Sequence, residues 1–252
     1  MSEILFGEHI SKSYGDKAVL SDISFSLEEG ELLCLLGISG VGKTTLFNIL
    51  SGLTKPDEGK VYLVQNENDG SRTDITGKTG YLSYMLQKDL LLPHKYVIDN
   101  VALPLVLKGV KKKEAREQAR EHFSQFGLQG FEYKYPAQLS GGMRQRAALL
   151  RTFLQGNKVA LLDEPFSALD TLTRTSMQEW YLQVMEEIKL STIFITHDID
   201  EAILISDRIR IMKGSPAVLS EEIVISGEKP RNQDFLLTEE FLDYKRSIRQ
   251  ML

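Results

Sequence analysis

Glu31-Leu-Leu-Cys-Leu-Leu-Gly37-Ile-Ser-Gly40-Val-Gly42-Lys43-Thr44-Thr-Leu-Phe-Asn-Ile-Leu50 is the stretch that decides the fold. The apolar run Glu31 to Leu36 reads as a strand, and Lys43 to Leu50 reads as a helix. Between them Gly37 to Thr44 fits G-x-x-x-x-G-K-[ST], a loop that cradles phosphate when a strand precedes it and a helix follows. Glycines let backbone N–H groups converge on phosphate oxygens, and the helix N-terminus adds positive potential. Lys43 then reaches the β- and γ-phosphates, and the Thr44 hydroxyl ligates Mg²⁺. Without a ligand the lysine is expected to lie exposed. A chance glycine-rich turn would lack these flanks.

Short apolar runs alternate with helical segments on either side, the pattern of an α/β fold with a largely parallel sheet. Strands read upstream at Ile4 to Ile10 and Val19 to Leu27; in the second, Ile23, Phe25 and Leu27 alternate with Asp22, Ser24 and Ser26. Downstream, Gly59 to Val64 reads as a strand, and Gln65 to Lys78 as a polar loop or hairpin tip. From about Leu90 to Gly156 helix signals dominate. A helix is expected over Lys111 to Phe126, with Ala115, Ala119, Phe123 and Phe126 on one stripe and its lysines forming a solvated end. Strands return at Val159 to Leu162 and Thr192 to Thr196, and Ile199 to Ile205 looks helical. Thr238 is placed to cap a last helix, with Glu239 and Glu240 in its first turn and Lys245, Arg246 and Arg249 near its close. Phe241, Tyr244, Ile248 and Met251 give that helix one apolar side.

Composition bounds the function. Among 252 residues, Lys and Arg number 30 and Asp and Glu 35, for a net charge of −5. That balance argues against a protein that binds nucleic acid by blanketing its phosphates. Hydrophobic residues at 42% and charged residues at 26% suit a globular chain with a core. The lone cysteine, Cys34, allows no internal disulfide, and its apolar surroundings suit a buried thiol. No apolar stretch approaches the roughly 20 residues of a membrane span. The N-terminus does not read as a signal peptide. Action at a membrane would therefore need a partner to hold the chain there.

Two more stretches carry chemistry. Val159-Ala-Leu-Leu-Asp163-Glu164 is an apolar strand ending in two acids. Asp163 suits a water-mediated Mg²⁺ ligand of a nucleoside triphosphatase, and Glu164 is placed to take a proton from an attacking water. Leu139-Ser140-Gly141-Gly142-Met143-Arg144-Gln145-Arg146 opens a helix with a hydroxyl and free N–H groups, a second anion site. A chain that already has one such site can use the second on a nucleotide held by another subunit.

From Tyr14 to Met212 the chain resembles the ATP-binding subunit of ABC transporters, with the motifs in the family's order. The resemblance implies an α/β fold: a P-loop NTPase core, mostly parallel sheet with an antiparallel β part, plus an inserted α-helical subdomain. Residues 1–88 and 157–225 would form the ATP-binding core, about 89–156 the helical signature subdomain, and 226–252 a short C-terminal helical extension. Tyr14 falls where the family stacks an aromatic ring on adenine, and Val19 where it packs an aliphatic side chain. Gly37, Ile38, Ser39, Gly40, Val41, Gly42, Lys43, Thr44 and Thr45 form the Walker A loop. Gln87 resembles the Q-loop glutamine, which contacts Mg²⁺ and links the nucleotide to the membrane subunit. Leu139, Ser140, Gly141, Gly142 and Met143 resemble the signature, acting in trans. Asp163 and Glu164 close the Walker B strand as Mg²⁺ ligand and catalytic acid. Asp170 resembles the D-loop aspartate, and His197 the switch histidine that contacts the γ-phosphate. Ile38 stands where the family often has proline or a small polar residue, and Met143 where many members have glutamine; both positions act mostly through backbone.

Finer stretches, Leu91-Leu-Pro93, Asp99-Asn-Val101, Tyr135-Pro136, Met143-Arg-Gln-Arg146 and Asp163-Glu-Pro-Phe-Ser-Ala-Leu-Asp-Thr-Leu-Thr-Arg174, resemble the importer group for nitrate, sulfonates, taurine and thiamine pyrimidine precursors. The stretch beyond Met212 is short, with no room for the regulatory barrel of sugar-importer ATPases. The resemblance implies ATP and Mg²⁺ as cofactors and a homodimer of ATPase subunits. It also implies transmembrane permease subunits, a solute-binding protein reached indirectly, no nucleic acid, and a cytoplasmic place on the inner face of the membrane. The alternative is an ABC-type ATPase acting outside transport, on DNA or ribosomes; its long coiled-coil inserts are missing here. A non-hydrolysing regulatory subunit would need damage at Glu164 or His197, and a simple P-loop kinase has no use for the signature.

Overall fold

The computed structural model describes residues 2–64, 70–227 and 231–252. Strands β1 (Glu3–Tyr14) and β2 (Lys17–Glu28) pair antiparallel, and β2 alternates as its sequence predicts, with Ile23, Phe25 and Leu27 buried. Strand β3 (Leu32–Leu36) is buried at every position and runs parallel to its neighbours on both sides, which is why its sequence is a continuous apolar run. Helix α1 (Lys43–Leu50) follows the glycine loop over the residues expected of it. Strand β4 (Glu58–Val64) pairs with β5 (Arg72–Asp74) as a hairpin. Of the expected polar tip at Gln65 to Lys78, residues 65–69 lie outside the described part.

Strand β6 (Ser83–Met85), absent from the sequence reading, leads into the helical stretch. That stretch holds α2 (Val97–Val101), α3 (Leu103–Leu107), α4 (Lys112–Glu121) and α5 (Gly141–Phe153). Helix α4 ends at Glu121 rather than at Phe126. Its last turn tightens into i→i+3 bonds, His122 N–H to Ala119 and Phe123 N–H to Arg120, and the chain turns at left-handed Gly127. The apolar stripe survives the change: Ala115, Ala119, Phe123 and Phe126 are all buried. Strand β7 (Val159–Asp163), helix α6 (Thr171–Ile188), strand β8 (Ser191–Thr196) and helix α7 (Ile199–Ile205) complete the core. Strands β9 (Arg208–Gly214), β10 (Ala217–Leu219) and β11 (Ile223–Val224), also unforeseen, precede α8 (Glu239–Met251). Thr238 caps α8 by accepting from the N–H of Phe241.

The sheet runs in the order β5-β4-β1-β2-β10-β9-β3-β8-β7-β6, with β11 against β9. Its β9-β3-β8-β7-β6 part is parallel, while β1, β2, β4 and β5 are antiparallel. Successive residues of the central strands face two different cores. Leu32, Cys34, Leu162 and Phe194 face the one containing α5, α6 and α7. Leu33, Leu35, Leu161 and Ile193 face the one containing α1 and the antiparallel strands. Functional groups therefore collect where both layers stop, at the carboxyl ends of the parallel strands. No helix among the described residues is long and apolar enough to cross a membrane.

Candidate nucleotide site

The loop after β3 holds its shape because two glycines go where side chains cannot. A Cβ on Gly37 would lie 2.7 Å from the carbonyl oxygen of Met212. Gly42 sits at φ 116°, as the N-cap of α1, with no side-chain cap bond. The first N–H groups of α1 therefore face outward without a protein cap. They open on a cleft of about 260 Å³ lined by Val19, Ser39, Gly40, Gly42, Lys43, Thr44, Thr45, Gln87, Asp163 and Glu164. A larger hollow of about 480 Å³ lies at the other end of the parallel strands, beside Lys158 and Ser191, away from these groups.

Lys43 is not exposed, contrary to the expectation from sequence. It is 6% exposed and folds back on its own loop, donating to the carbonyl oxygens of Gly37 at 2.6 Å and Ile38 at 3.0 Å. Its ammonium lies 4.0 Å from a Glu164 oxygen. Burial pulls the lysine pKa down, opposed by Glu164 and Asp163. The expectation failed because the sequence shows the motif but not the carbonyls that an empty loop turns toward it.

The acids arrive from β7. Asp163 is buried, and burial raises its carboxyl pKa against the Thr44 hydroxyl, which donates to it at 3.3 Å. Glu164 takes a left-handed φ of 46°, its N–H bonded to the carbonyl of Ile195 at 3.0 Å. A glutamate held there costs on the order of 1 kcal/mol, and the turn aims its carboxylate into the cleft. Gln87 Nε2 donates to that carboxylate at 3.1 Å, and His197 Nδ1 lies 3.1 Å from its other oxygen. Residues from the ends of β3, β6, β7 and β8 thus meet around one carboxylate.

The remaining expected residues are placed elsewhere. Tyr14 is 52% exposed beside Lys12, whose ammonium is 5.6 Å from the ring, and it does not line the cleft. Ile38 is exposed, and Val41 is buried in the core beneath the loop. None of Leu139, Ser140, Gly141, Gly142 and Met143 lines the cleft. Ser140 caps α5 by accepting from the N–H of Met143 at 3.3 Å, and Leu139 is buried. Gly142 has a packing reason for lacking a side chain, since a Cβ there would lie 3.1 Å from Thr173 Cγ2 on α6. Asp170 caps α6, accepting from the N–H of Thr173 at 3.1 Å.

Tyr84 and Ser167 were not singled out. Tyr84 OH lies 3.5 Å from Asp163, and Ser167 Oγ lies 3.4 Å from Gln87 Nε2. Ser167 stands within the stretch Asp163 to Arg174 quoted for the importer resemblance; Tyr84 has no motif around it.

The residues suit a magnesium nucleotide. An uncapped helix N-terminus and a lysine face the same cleft as the Thr44 hydroxyl and the Asp163 carboxylate, whose pKa burial raises. Hard oxygen donors of this kind hold Mg²⁺, which takes most of its other ligands from phosphate and water.

A family profile described as ABC transporter matches residues 20–167. The formylaminopyrimidine import ATP-binding protein ThiZ of Halalkalibacterium halodurans is 39% identical, over 98% of this chain and 93% of its own length. The aliphatic sulfonates import ATP-binding protein SsuB of Bacillus cereus is 38% identical, over 96% of this chain and 92% of its own. A solved dimeric ATP-binding cassette in a post-hydrolysis state, bound to ADP and Pi, is similar at a TM-score of 0.73 and 28% identity, covering 89% of this chain and 100% of that one.

Proposed function

The chain belongs to the ABC transporter family as an ATP-binding subunit, and on that premise we propose that it is the ATP-hydrolysing motor of an importer. The observation that carries the reading is the Glu164 carboxylate, met by Lys43, Gln87 and His197 beside the Thr44–Asp163 pair. Lys43 leaves the Gly37 and Ile38 carbonyls for the phosphates, and the N–H groups of α1 take the phosphate oxygens. Mg²⁺, held by Thr44, Asp163 and Gln87, would neutralise charge on the phosphates. Glu164 takes the proton of the attacking water, and His197 holds that carboxylate in place. Val19 packs near the base, with Tyr14 stacking on it.

Ser140 to Met143 complete the site of a second copy, and Asp170 crosses between the two, so the working unit is a head-to-tail homodimer. Closure around ATP drives the permease subunits, and hydrolysis reopens the pair. In this reading residues 1–88 and 157–225 form the core, 89–156 the signature subdomain and 226–252 the extension. The permease holds the protein on the inner face of the membrane, and the solute belongs to the class named for the relatives: formylaminopyrimidine or an aliphatic sulfonate. The test is ATP turnover against protein concentration. Specific activity should rise as copies associate; a constant specific activity across a range where the protein is demonstrably monomeric would contradict the shared site.

A further inference from the structure

Residues 226–252 have no part in the reaction above, yet they meet the helix that follows His197 at both of its ends. The His197 side chain is 56% exposed, so its place beside Glu164 is set by the backbone turn that carries it. Three hydrogen bonds close that turn. Asp198 N–H donates to the Thr196 hydroxyl at 3.1 Å, and the Asp198 carboxylate accepts from the N–H groups of Asp200 at 2.9 Å and Glu201 at 3.2 Å. Thr196 is anchored in turn by its strand, its carbonyl accepting from the N–H of Gly37 at 3.3 Å. Asp198 is thereby the N-cap of α7, and a shift of α7 is passed to His197.

The C-terminal residues grip α7 from outside the site. At its first turn, Lys245 Nζ of α8 donates to the Asp200 carboxylate at 2.8 Å. At its far end Arg231, 4% exposed, donates Nη1 to the carbonyls of Ser206 at 2.8 Å and of Ile203 and Leu204 at 3.4 Å. The last turn of a helix leaves such carbonyls without intrahelical partners, and its dipole favours a cation there. Nη2 of the same guanidinium donates to the Ile225 carbonyl at 2.8 Å, just past β11. Burying a guanidinium is costly, and these main-chain acceptors offset the cost. Between the two grips, Phe241 and Ile248 of α8 share one core with Ala202, Ile203 and Ile205. Tyr244 OH accepts from the N–H of Ser226 at 3.0 Å and ties α8 back to the start of the segment. A helix of seven residues does not hold its place alone, so these contacts decide where α7 lies.

We propose that residues 226–252 are a strap that positions His197, with Lys245 and Arg231 as its two fastenings on α7. The proposal rests on the ATPase reading above. Held at both ends, α7 keeps the Thr196–Asp198 turn in place, and His197 stays 3.1 Å from the Glu164 carboxylate. With a fastening removed the turn drifts and that carboxylate loses its support. Nucleotide still binds, because Lys43, Thr44 and the first N–H groups of α1 belong to an element the strap does not hold.

The experiment pairs steady-state ATP hydrolysis by the full chain with NMR of its four histidine side chains, His9, His94, His122 and His197. Wild type is compared with Lys245→Met, Lys245→Arg, Asp200→Ala, Arg231→Met and the Asp200→Ala/Lys245→Met double variant. The Lys245–Asp200 pair reaches solvent and holds little of the stability, so its variants should fold. Lys245→Met should lower kcat by about 10-fold, the scale of a small misplacement of a catalytic group, with KM for ATP within about twofold. Its His197 signal should shift while those of the other three histidines stay in place. Lys245→Arg should restore both readings. Asp200→Ala should behave as Lys245→Met does, and the double variant should lose no more than the worse single, because both break one contact. Arg231→Met should move the same readings further. Wild-type kcat in Lys245→Met, a loss carried by KM, an unmoved His197 signal, losses that multiply in the double, or Lys245→Arg no better than Lys245→Met would each overturn the proposal. Should Arg231→Met fail to fold, the Lys245 and Asp200 variants decide alone. An inactive wild type would overturn the ATPase reading instead, and the His197 signal would then test the strap by itself.

Discussion

Helix α1 begins at Gly42, left-handed and without a cap, whereas α5 begins at Ser140, extended, whose hydroxyl caps the N–H of Met143. Both starts are glycine-bearing, and both were read from sequence as places for an anion. Around α1 the charges are crowded and buried: Lys43 on its own carbonyls, Asp163 with a raised pKa, Glu164 at a strained φ. Ser140, by contrast, is exposed and bonded within its own turn. The difference teaches that the first site is held ready at a cost, while the second is already satisfied within its own chain. A region of the first kind should lose function sharply when one group changes. One of the second kind should matter only when two copies meet.

The largest effect expected is for Glu164→Gln. The amide cannot take the water's proton, and turnover should fall by roughly 10² or more. Removing a negative charge beside the phosphates also eases closure, so gel filtration with Mg-ATP should show a dimer for the variant. A monomeric variant at saturating ATP, or one with wild-type turnover, would break the comparison at its strongest point.

Buried Glu201 on α7, which accepts from Gln178 Nε2 at 3.1 Å, gives a pH test of what burying one charge outside the cleft costs. Its folded pKa, pushed up to about 7, lies above the ordinary 4.5. The stability due to the neutral carboxyl is therefore fully present below the ordinary value and lost as pH rises through the folded one. Glu201→Gln, always neutral, should gain on wild type by roughly 3 kcal/mol between acid and mildly alkaline pH, read from urea midpoints. Parallel pH curves for the two proteins would show that no such cost exists.

Lys43→Ala should weaken ATP binding by roughly 10- to 100-fold in calorimetry, the worth of charge-assisted hydrogen bonds to phosphate. Equal affinity in the two proteins would remove Lys43 from the phosphate site. The smallest effect is expected at the other helix. Ser140→Ala should cost about 1 kcal/mol of stability through the lost cap. It should lower turnover at concentrations where copies associate, while leaving ATP affinity of the dilute chain unchanged. A loss of affinity in the dilute chain would mean that Ser140 serves its own site and would collapse the contrast.

The residues around the cleft were legible to different degrees. Lys43, Thr44, Asp163 and Glu164 stand in short motifs whose spacing follows from a strand ending and a helix beginning, so they could be named from the chain alone. Gln87 and His197 could be named only by resemblance, since nothing in their neighbours fixes what they touch. Tyr84 and Glu201 could not be named at all. Tyr84 meets Asp163 because β6 pairs with β7, with Met85 opposite Leu162. Glu201 meets Gln178 because α7 packs on α6. The end of α4 was misjudged because the apolar stripe outlasts the helix, its residues staying buried through tight turns that periodicity does not distinguish.

By itself the sequence determined the local elements: a buried run for β3, an alternating β2, a helix α1 behind its glycines, and the cap at Thr238. Each depends on neighbours a few residues away, through backbone sterics, side-chain period and cap geometry. Tertiary structure decided what those elements bring together. Thr44 and Asp163 are separated by 119 residues, Gln87 and Glu164 by 77, and His197 and Glu164 by 33, yet each pair is within hydrogen-bond reach. Burial of Lys43, the raised pKa of Asp163 and the Gln178 bond to Glu201 follow from that convergence. The physical reason is that desolvation and hydrogen-bond partners depend on what surrounds a group in space, and spacing along the chain carries no record of it.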